Sequence, residues 1–437
     1  MVADAIQTTA SGNEAPERPR PVLGFVPLAD AAPLIVAAEK GFFAAQGLEP
    51  VLARQASWAN IRDRVAIGAL DAAHMLAPMT LAARLDPGRF GTPFLTAFAF
   101  NLGGNAITVS ETLWRRMSDA DPEAMATHPA SARALKTVIE ADRAAGREPP
   151  VFASVFPFSP HNYELRYWLA AGGIDPDRDL RLTVVPPPRM AESLRLGLVD
   201  GYCVGEPWNS RTVEAGLGRI VATSGEIWSG RIEKVLGVTE DWAARHPATH
   251  RALIRALIEA GRWLDEPCNH AEAARLLAAP GFVDAPASMI EASLAGRIRR
   301  APGAAPTAEP GFYAFHRHAA NFPWRSQAVW YLTQMLRWGQ VDRPLDLAAT
   351  ADAAFRPDIF REAVAGLGLV CPVSDHKPEG AHAGPWTLDA GGTPIAMGPD
   401  RFLDGRVFDA ADPLSYLRDL PIKSDRAPSA ATGVTAA

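Results

Sequence analysis

Residues 21–54 read PVLGFVPLADAAPLIVAAEKGFFAAQGLEPVLAR, a strand, a helix and a strand in close succession. Pro21 to Val26 is a short apolar run of strand type. Asp30-Ala31-Ala32-Pro33 opens a helix, with Asp30 as its expected N-cap and Leu34, Ile35, Ala38 and Phe42 as its apolar stripe. Gly41 closes that helix, and residues 48–53 predict the second strand. The alternation continues through a helix over 58–70, a buried strand over 72–76 and a strand over 94–100. Strands and helices in short alternation argue for an α/β fold with a mostly parallel sheet.

The pattern then repeats. Residues 151–156 predict a strand, and 161–171 a helix closed by Gly172-Gly173. The next strand stops at Pro186-Pro187-Pro188, because proline cannot continue a ladder. A helix over 190–198 and a strand over 201–204 follow, and the unit ends near Ile220–Ser224. Residues 234–239 predict a further strand, with Lys234 at its head in the short loop that leads in. Residues 248–277 and 312–338 read as helical, and 371–422, rich in Gly, Pro and Asp, as irregular. Two α/β units followed by helices predict two lobes with a cleft between them. Ligands of open α/β sheets bind outside the carboxyl ends of the strands. Hinge closure of two lobes would bury such a ligand.

The chain has 437 residues, with 43 Lys and Arg against 49 Asp and Glu, a formal charge of −6. That balance argues against direct nucleic-acid binding, which needs clustered basic residues. Hydrophobic residues make up 48% and charged residues 21%, a globular composition rather than a disordered one. Cys203, Cys268 and Cys371 are widely spaced and read as reduced core thiols. Residues 1–20 are polar and have no apolar core of a leader, so they predict a disordered arm and a cytoplasmic location. No later stretch is long and apolar enough to predict a membrane contact.

Nothing in the motifs promotes an enzyme, a cofactor or a metal. There is no phosphate-cradling loop and no nucleophile elbow, and Gly103-Gly104 lacks the wider spacing of a dinucleotide site. His161 is followed by Glu164, but no second His stands one turn on. What stands out is a set of polar, aromatic and proline residues where strands end: Trp58, Asn105, His161, Pro186 to Pro188, and Lys234. Each has a bland reading as a packed edge residue, a satisfied side chain or a solvated Lys, and spacing alone favours it for each taken singly. Glu206 and Trp208 read as structural, because a carboxylate beside a bound anion opposes it.

Six segments carry a resemblance: Leu23–Leu34, Ala56–Asp63, Asp71–Met79, Arg166–Pro176, Val185–Met190 and Cys203–Asn209. Together they resemble the nitrate- and bicarbonate-binding family of ABC-transporter solute receptors, which includes the cytoplasmic nitrate/nitrite sensor of the NasS type. The resemblance implies the two-lobed type II periplasmic-binding-protein fold. Lobe I would comprise 21–110 and 228–370, lobe II 111–227, and an irregular extension 371–437.

It also implies that nitrate or nitrite is held by Trp58, Asn105, His161, Pro188 and Lys234. In that reading Lys234 compensates the charge of a buried monoanion, His161 and Trp58 offer N–H donors, and Asn105 offers its amide. Bicarbonate-binding relatives carry an acidic residue at the Lys position, so Lys234 favours nitrate or nitrite. Asn105 departs from the family's longer Gln, which leaves a water-bridged contact or a shifted ligand pose open. The absent leader favours the sensor, whose partner in the family is an RNA-binding antiterminator of the NasT type. The alternatives are the receptor of a nitrate transporter and, from another class, a thiamine-precursor synthase, for which Cys203 on a strand is a poor nucleophile.

Overall fold

The computed structural model of the chain describes residues 14–341 and 343–423. In chain order β1 (Val22–Phe25), α1 (Ala32–Glu39), β2 (Val51–Arg54), α2 (Trp58–Ala66), β3 (Ala72–Leu76) and β4 (Phe94–Gly103) come first. Then follow β5 (Asn105–Ser110), β6 (Val151–Ser154), α3 (Pro160–Ala171), β7 (Arg181–Val184), β8 (Gly201–Gly205) and β9 (Gly218–Thr223). The chain returns through β10 (Ile232–Thr239), α4 (Pro247–Leu264), β11 (Tyr313–Ala314) and α5 (Arg325–Arg337). It ends with a hairpin, β12 (Trp386–Asp389) and β13 (Pro394–Met397), and α6 (Pro413–Arg418).

These strands form two sheets, ordered β11-β4-β10-β3-β1-β2 and β7-β6-β8-β5-β9. In the first, β2, β1 and β3 run parallel and β10 pairs antiparallel with β3 and β4. In the second, β7, β6 and β8 run parallel and β5 pairs antiparallel with β8 and β9. Both sheets are therefore mixed rather than mostly parallel, because the strands that cross between lobes enter against the parallel set. The two-lobed α/β architecture is as expected.

The first crossing lies at Gly103-Gly104, and not after residue 110. Both glycines take positive φ, 70° and 100°, and Asn105 onward joins the second sheet. Beside this crossing runs the return segment, with Gly103 N donating to Arg231 O at 3.1 Å and Asn105 N to Ser224 Oγ at 3.3 Å. Lys234 lies inside β10 rather than in a loop before it, because its ammonium is ion-paired within the fold. Asp30 is not a helix cap either: it sits in a short 3-10 turn, and Ala31 precedes α1 without a side-chain cap.

The helix expected over 312–338 is shorter. Residues 313–314 pair with β4 as an edge strand, and only 325–337, beyond Pro323, are helical. Residues 14–20 of the expected disordered arm are fastened down. Glu17 accepts from Ala248 N and Thr249 N at the start of α4, at 2.9 and 2.8 Å, and Arg18 pairs with Asp71 at 2.6 Å. Residues 1–13 and 424–437 lie outside the described residues.

The C-terminal extension, irregular apart from its hairpin and α6, touches both lobes. Tyr167 on α3 donates to Asp404 at 2.9 Å and meets the Tyr416 hydroxyl at 3.0 Å, while Lys423 pairs with Asp175 at 3.5 Å. On the other side Trp330 Nε1 on α5 donates to Tyr416 at 3.4 Å, and Arg337 Nε to Ile422 O at 3.1 Å. Phe402 stacks on Tyr167 of α3 and Trp330 of α5, each at 5.7 Å, and lies 4.6 Å from Trp228 in the return segment.

The crossing glycine has no room to spare. A Cβ at Gly104 would lie 2.0 Å from the Tyr313 ring, and its φ of 100° disfavours any L side chain. Gly104→Ala is expected to destabilise the protein by about 2–4 kcal/mol, read as a lower urea midpoint at unchanged slope. An unchanged midpoint would show that the crossing can rearrange.

Candidate functional site

The parallel strands of both sheets point their carboxyl ends at the space between the lobes. Two helices start there, one from each side. In lobe I Ser57 caps α2, accepting from Asn60 N, and Trp58 is the first helical residue. In lobe II Ser159 caps α3, accepting from Asn162 N at 3.0 Å, and His161 follows Pro160 in the first turn. A helix N-terminus carries partial positive charge and suits an anion.

Trp58, Asn105, His161 and Lys234 are brought together, each 0% exposed. Lys234 Nζ stands 5.5 Å from the centroid of the Trp58 ring. It pairs with Glu233 at 2.5 Å, and Glu233 Oε1 is 3.5 Å from His161 Nδ1. Pro188 lies elsewhere: half-buried, it lines an opening of 460 Å³ together with Pro27, Arg54, Gln55, Ala56 and Arg189, from both lobes. This opening lies between the two lobes, which are closed on each other, with Ala29 N donating to Glu206 O at 2.9 Å and Trp208 Nε1 to Pro27 O at 3.0 Å. Glu206 and Trp208 thus do structural work across the cleft.

Two expected roles change on contact with the geometry. Lys234 is not a free cation, because Asp30 also takes it at 2.7 Å. Asn105 offers no spare N–H: its Nδ2 donates to Glu164 at 2.9 Å and to Glu233 at 2.8 Å, leaving only the acceptor Oδ1 unpartnered. The buried nitrogens at the site without a hydrogen bond are Trp58 Nε1, Arg231 Nε and the ring nitrogens of His161 and His74, of which His74 Nε2 faces Asp30 and His161 Nδ1 faces Glu233. Buried polar atoms are nearly always satisfied, so this group marks where a ligand's oxygens belong.

Several site residues escaped the sequence reading. Asp30 follows β1 and holds Lys234 on one side and His74 Nε2, at 3.0 Å, on the other. Arg231 clamps Glu164 at 2.5 Å and also bonds Glu233. Gly205 leaves space: a Cβ there would stand 3.4 Å from Asn105 Oδ1 and 3.5 Å from Asp30 Oδ2. The available signal was the run Arg231-Ile232-Glu233-Lys234, three charges entering an apolar strand, where burial demands partners.

The electrostatics follow from burial and pairing. Burial alone would raise Asp30 and Glu233, but Lys234 and His74 hold Asp30 well below the carboxylate range, and Arg231 and Lys234 hold Glu233 at about 2. Burial raises Glu164 in spite of Arg231. Burial also pulls His161 down to about 3, so the enclosed imidazole is neutral. The Cys203 thiol is pushed far up by burial and by Glu164, which removes it as a nucleophile. Among the described residues no three His, Cys, Asp or Glu side chains are grouped to hold a metal ion. No described helix is long and apolar enough to cross a membrane.

Glu206 provides a test of the closed cleft. Burial raises its carboxyl to about 7, although Ser210 N donates to it at 3.2 Å. A carboxyl whose folded value lies above its unfolded value costs stability as pH rises between the two. Glu206→Gln is therefore expected to be more stable than the parent by on the order of 2 kcal/mol near pH 8, and equal to it near pH 4. Thermal melts across that range check it, and a pH-independent difference would contradict the buried, uncompensated carboxyl.

Comparison with known proteins agrees with this geometry. The NMT1-like family profile matches residues 14–278. The chain is 33% identical to the nitrate/nitrite binding protein NrtA of Synechococcus elongatus, over 95% of this chain and 89% of that one. It is 37% identical to the nitrate import ATP-binding protein NrtC of Synechocystis, over 92% of this chain, but spans only 55% of that longer protein. The crystal structure of the periplasmic nitrate-binding protein NrtA from Synechocystis superposes with a TM-score of 0.82 at 30% identity, covering 94% of this chain and all of that one. With a closed two-lobed fold and relatives of this kind, the chain belongs to the NMT1-like family, within its nitrate- and bicarbonate-binding group of ABC-transporter solute receptors.

Proposed function

We propose that this chain binds nitrate or nitrite in the closed cleft and acts as the solute receptor of an ABC importer. The observation that carries the reading is the convergence of Trp58 Nε1 and His161, buried and unpartnered, from opposite lobes on the Glu233–Lys234 pair. Two N–H donors at two helix N-termini suit a small planar oxyanion. Each such charge-assisted bond is worth about 1.5–3 kcal/mol. Pro188 would act at the opening between the lobes, shaping entry rather than touching the anion.

The second reading is the cytoplasmic sensor, in which the anion would release an antiterminator of the NasT type. One relative is named a nitrate import protein and the other a nitrate/nitrite binding protein, and the first name supports transport over sensing. A binding protein rather than an enzyme is also what the unreactive Cys203 supports.

Titration calorimetry with nitrate, nitrite and bicarbonate tests the ligand class. Nitrate and nitrite are expected to bind, and Trp58→Phe to bind nitrate about tenfold more weakly through loss of one N–H bond. Lys234→Glu would set a third carboxylate beside Asp30 and Glu233 and is expected to abolish binding. Absence of nitrate and nitrite binding by the parent protein would end this reading. Co-elution with an antiterminator that millimolar anion leaves unchanged would end the sensor reading.

A further inference from the structure

The closed cleft holds no surplus of positive charge. Three carboxylates, Asp30, Glu164 and Glu233, face two cations, Arg231 and Lys234, and all five are at most 2% exposed. With neutral imidazoles, and with Glu164 ionised against Arg231 at 2.5 Å, the set carries one net negative charge before any ligand arrives. A monoanion would add a second in a site closed to water, and an unpaired buried charge costs many kcal/mol. The arrangement can hold an anion only if something positive enters with it.

We propose that the anion binds together with one proton, carried by His161 as an imidazolium, and that the cleft for this reason selects monoanions over dianions. This rests on the anion-receptor reading above and adds the charge that it lacks. The charged groups facing His161 already hold one another. On β10, Glu233 and Lys234 hold each other, and Arg231 holds Glu164, one turn along α3 from His161. From the segment after β1, Asp30 is bound to Lys234 and to His74 of β3. The His74 ring is enclosed by Trp58 at 5.4 Å and Phe100 at 5.3 Å. On β8 the Cys203 thiol, directed at Glu164 at 3.6 Å, already carries its proton, and so does the Tyr331 hydroxyl, which donates to Ile232 O at 2.8 Å. From β5, Asn105 brings no charge, and its Nδ2 is held by Glu164 and Glu233.

Neither imidazole at the site makes a hydrogen bond, but His74 Nε2 already faces Asp30 at 3.0 Å inside lobe I, whereas His161, from the opposite lobe, has only Glu233 Oε1 at 3.5 Å from its Nδ1 and no partner at Nε2 among the described residues. A neutral imidazole donates through one nitrogen only; an imidazolium donates through both. Protonation therefore gives Nδ1–H to Glu233 and leaves Nε2–H for the anion. In an open, solvated cleft His161 would titrate near its ordinary value, about 6.5. Closing over an anion keeps the proton, whereas closing empty expels it, because burial then favours the neutral ring.

The sign follows. Affinity is level below about pH 6 and falls about tenfold per unit once the open-cleft imidazole loses its proton. Nitrate titrations near pH 8, in phosphate and in Tris, read proton uptake directly, because these buffers differ in ionisation enthalpy. Uptake near one proton per nitrate is expected, with nitrate affinity falling about tenfold between pH 7 and pH 8 and no sulfate binding. His161→Asn, if folded by circular dichroism, should lose both the uptake and the pH dependence. Nitrate binding without proton uptake in the parent protein, or sulfate binding as tight as nitrate, would overturn the proposal. Uptake that survives in His161→Asn would overturn its assignment to His161. Failure of nitrate and nitrite to bind at every pH would overturn the receptor reading and the proton with it.

Discussion

Lys234, buried between Asp30 and Glu233, is the constraint on which the rest of the structure turns. A charge at 0% exposure is tolerated only when its partners are in place, and removing one partner of such a pair costs about 3–5 kcal/mol. Here the partners come from distant parts of the chain. Asp30 follows the first strand, Glu233 belongs to the return strand, and Glu233 is held in turn by Asn105 from the opposite lobe. Arg231 repeats the arrangement, joining the return strand to Glu164 on α3. The network therefore fixes the closed position of the lobes as well as the floor of the cleft.

Once that floor is set, the ligand-facing groups are those the network leaves over. The Asn105 amide and the Lys234 ammonium, the obvious anion holders in the sequence, are both engaged by carboxylates. What remains is the indole N–H of Trp58 and the imidazole of His161, each placed by a serine cap at the head of a helix. The binding groups and the structural ions are separate sets that share one small volume.

The lobes and the strand ends were legible because their signals are local. Apolar runs broken by Gly or Pro mark strands, and serine two or so residues before a helical stripe marks where Trp58 and His161 start. Four of the five expected ligand residues do meet in space. Pairing was not legible. Asp30 looked like a cap because a carboxylate before a helix usually is one, and nothing near it in the chain announces Lys234, some two hundred residues on. The transfer of Asn105–Ser110 to the second lobe hid for the same reason: sheet membership is a long-range property, and only Gly103-Gly104 hinted at the crossing. The helix expected over 312–338 is confined to 325–337 because the aromatic run before it packs as an edge strand and turn, and Pro323 separates the two.

The C-terminal extension has a mechanical consequence. Two peptide crossings side by side form a hinge that can both bend and twist. Tyr416 is bonded to α3 of one lobe and α5 of the other, Lys423 adds a further attachment, and Phe402 packs on Trp228 in the return crossing itself. A segment that grips both lobes and the return crossing must give up some of these contacts whenever the lobes part, so opening the cleft works against the extension as well as against the buried ion pairs.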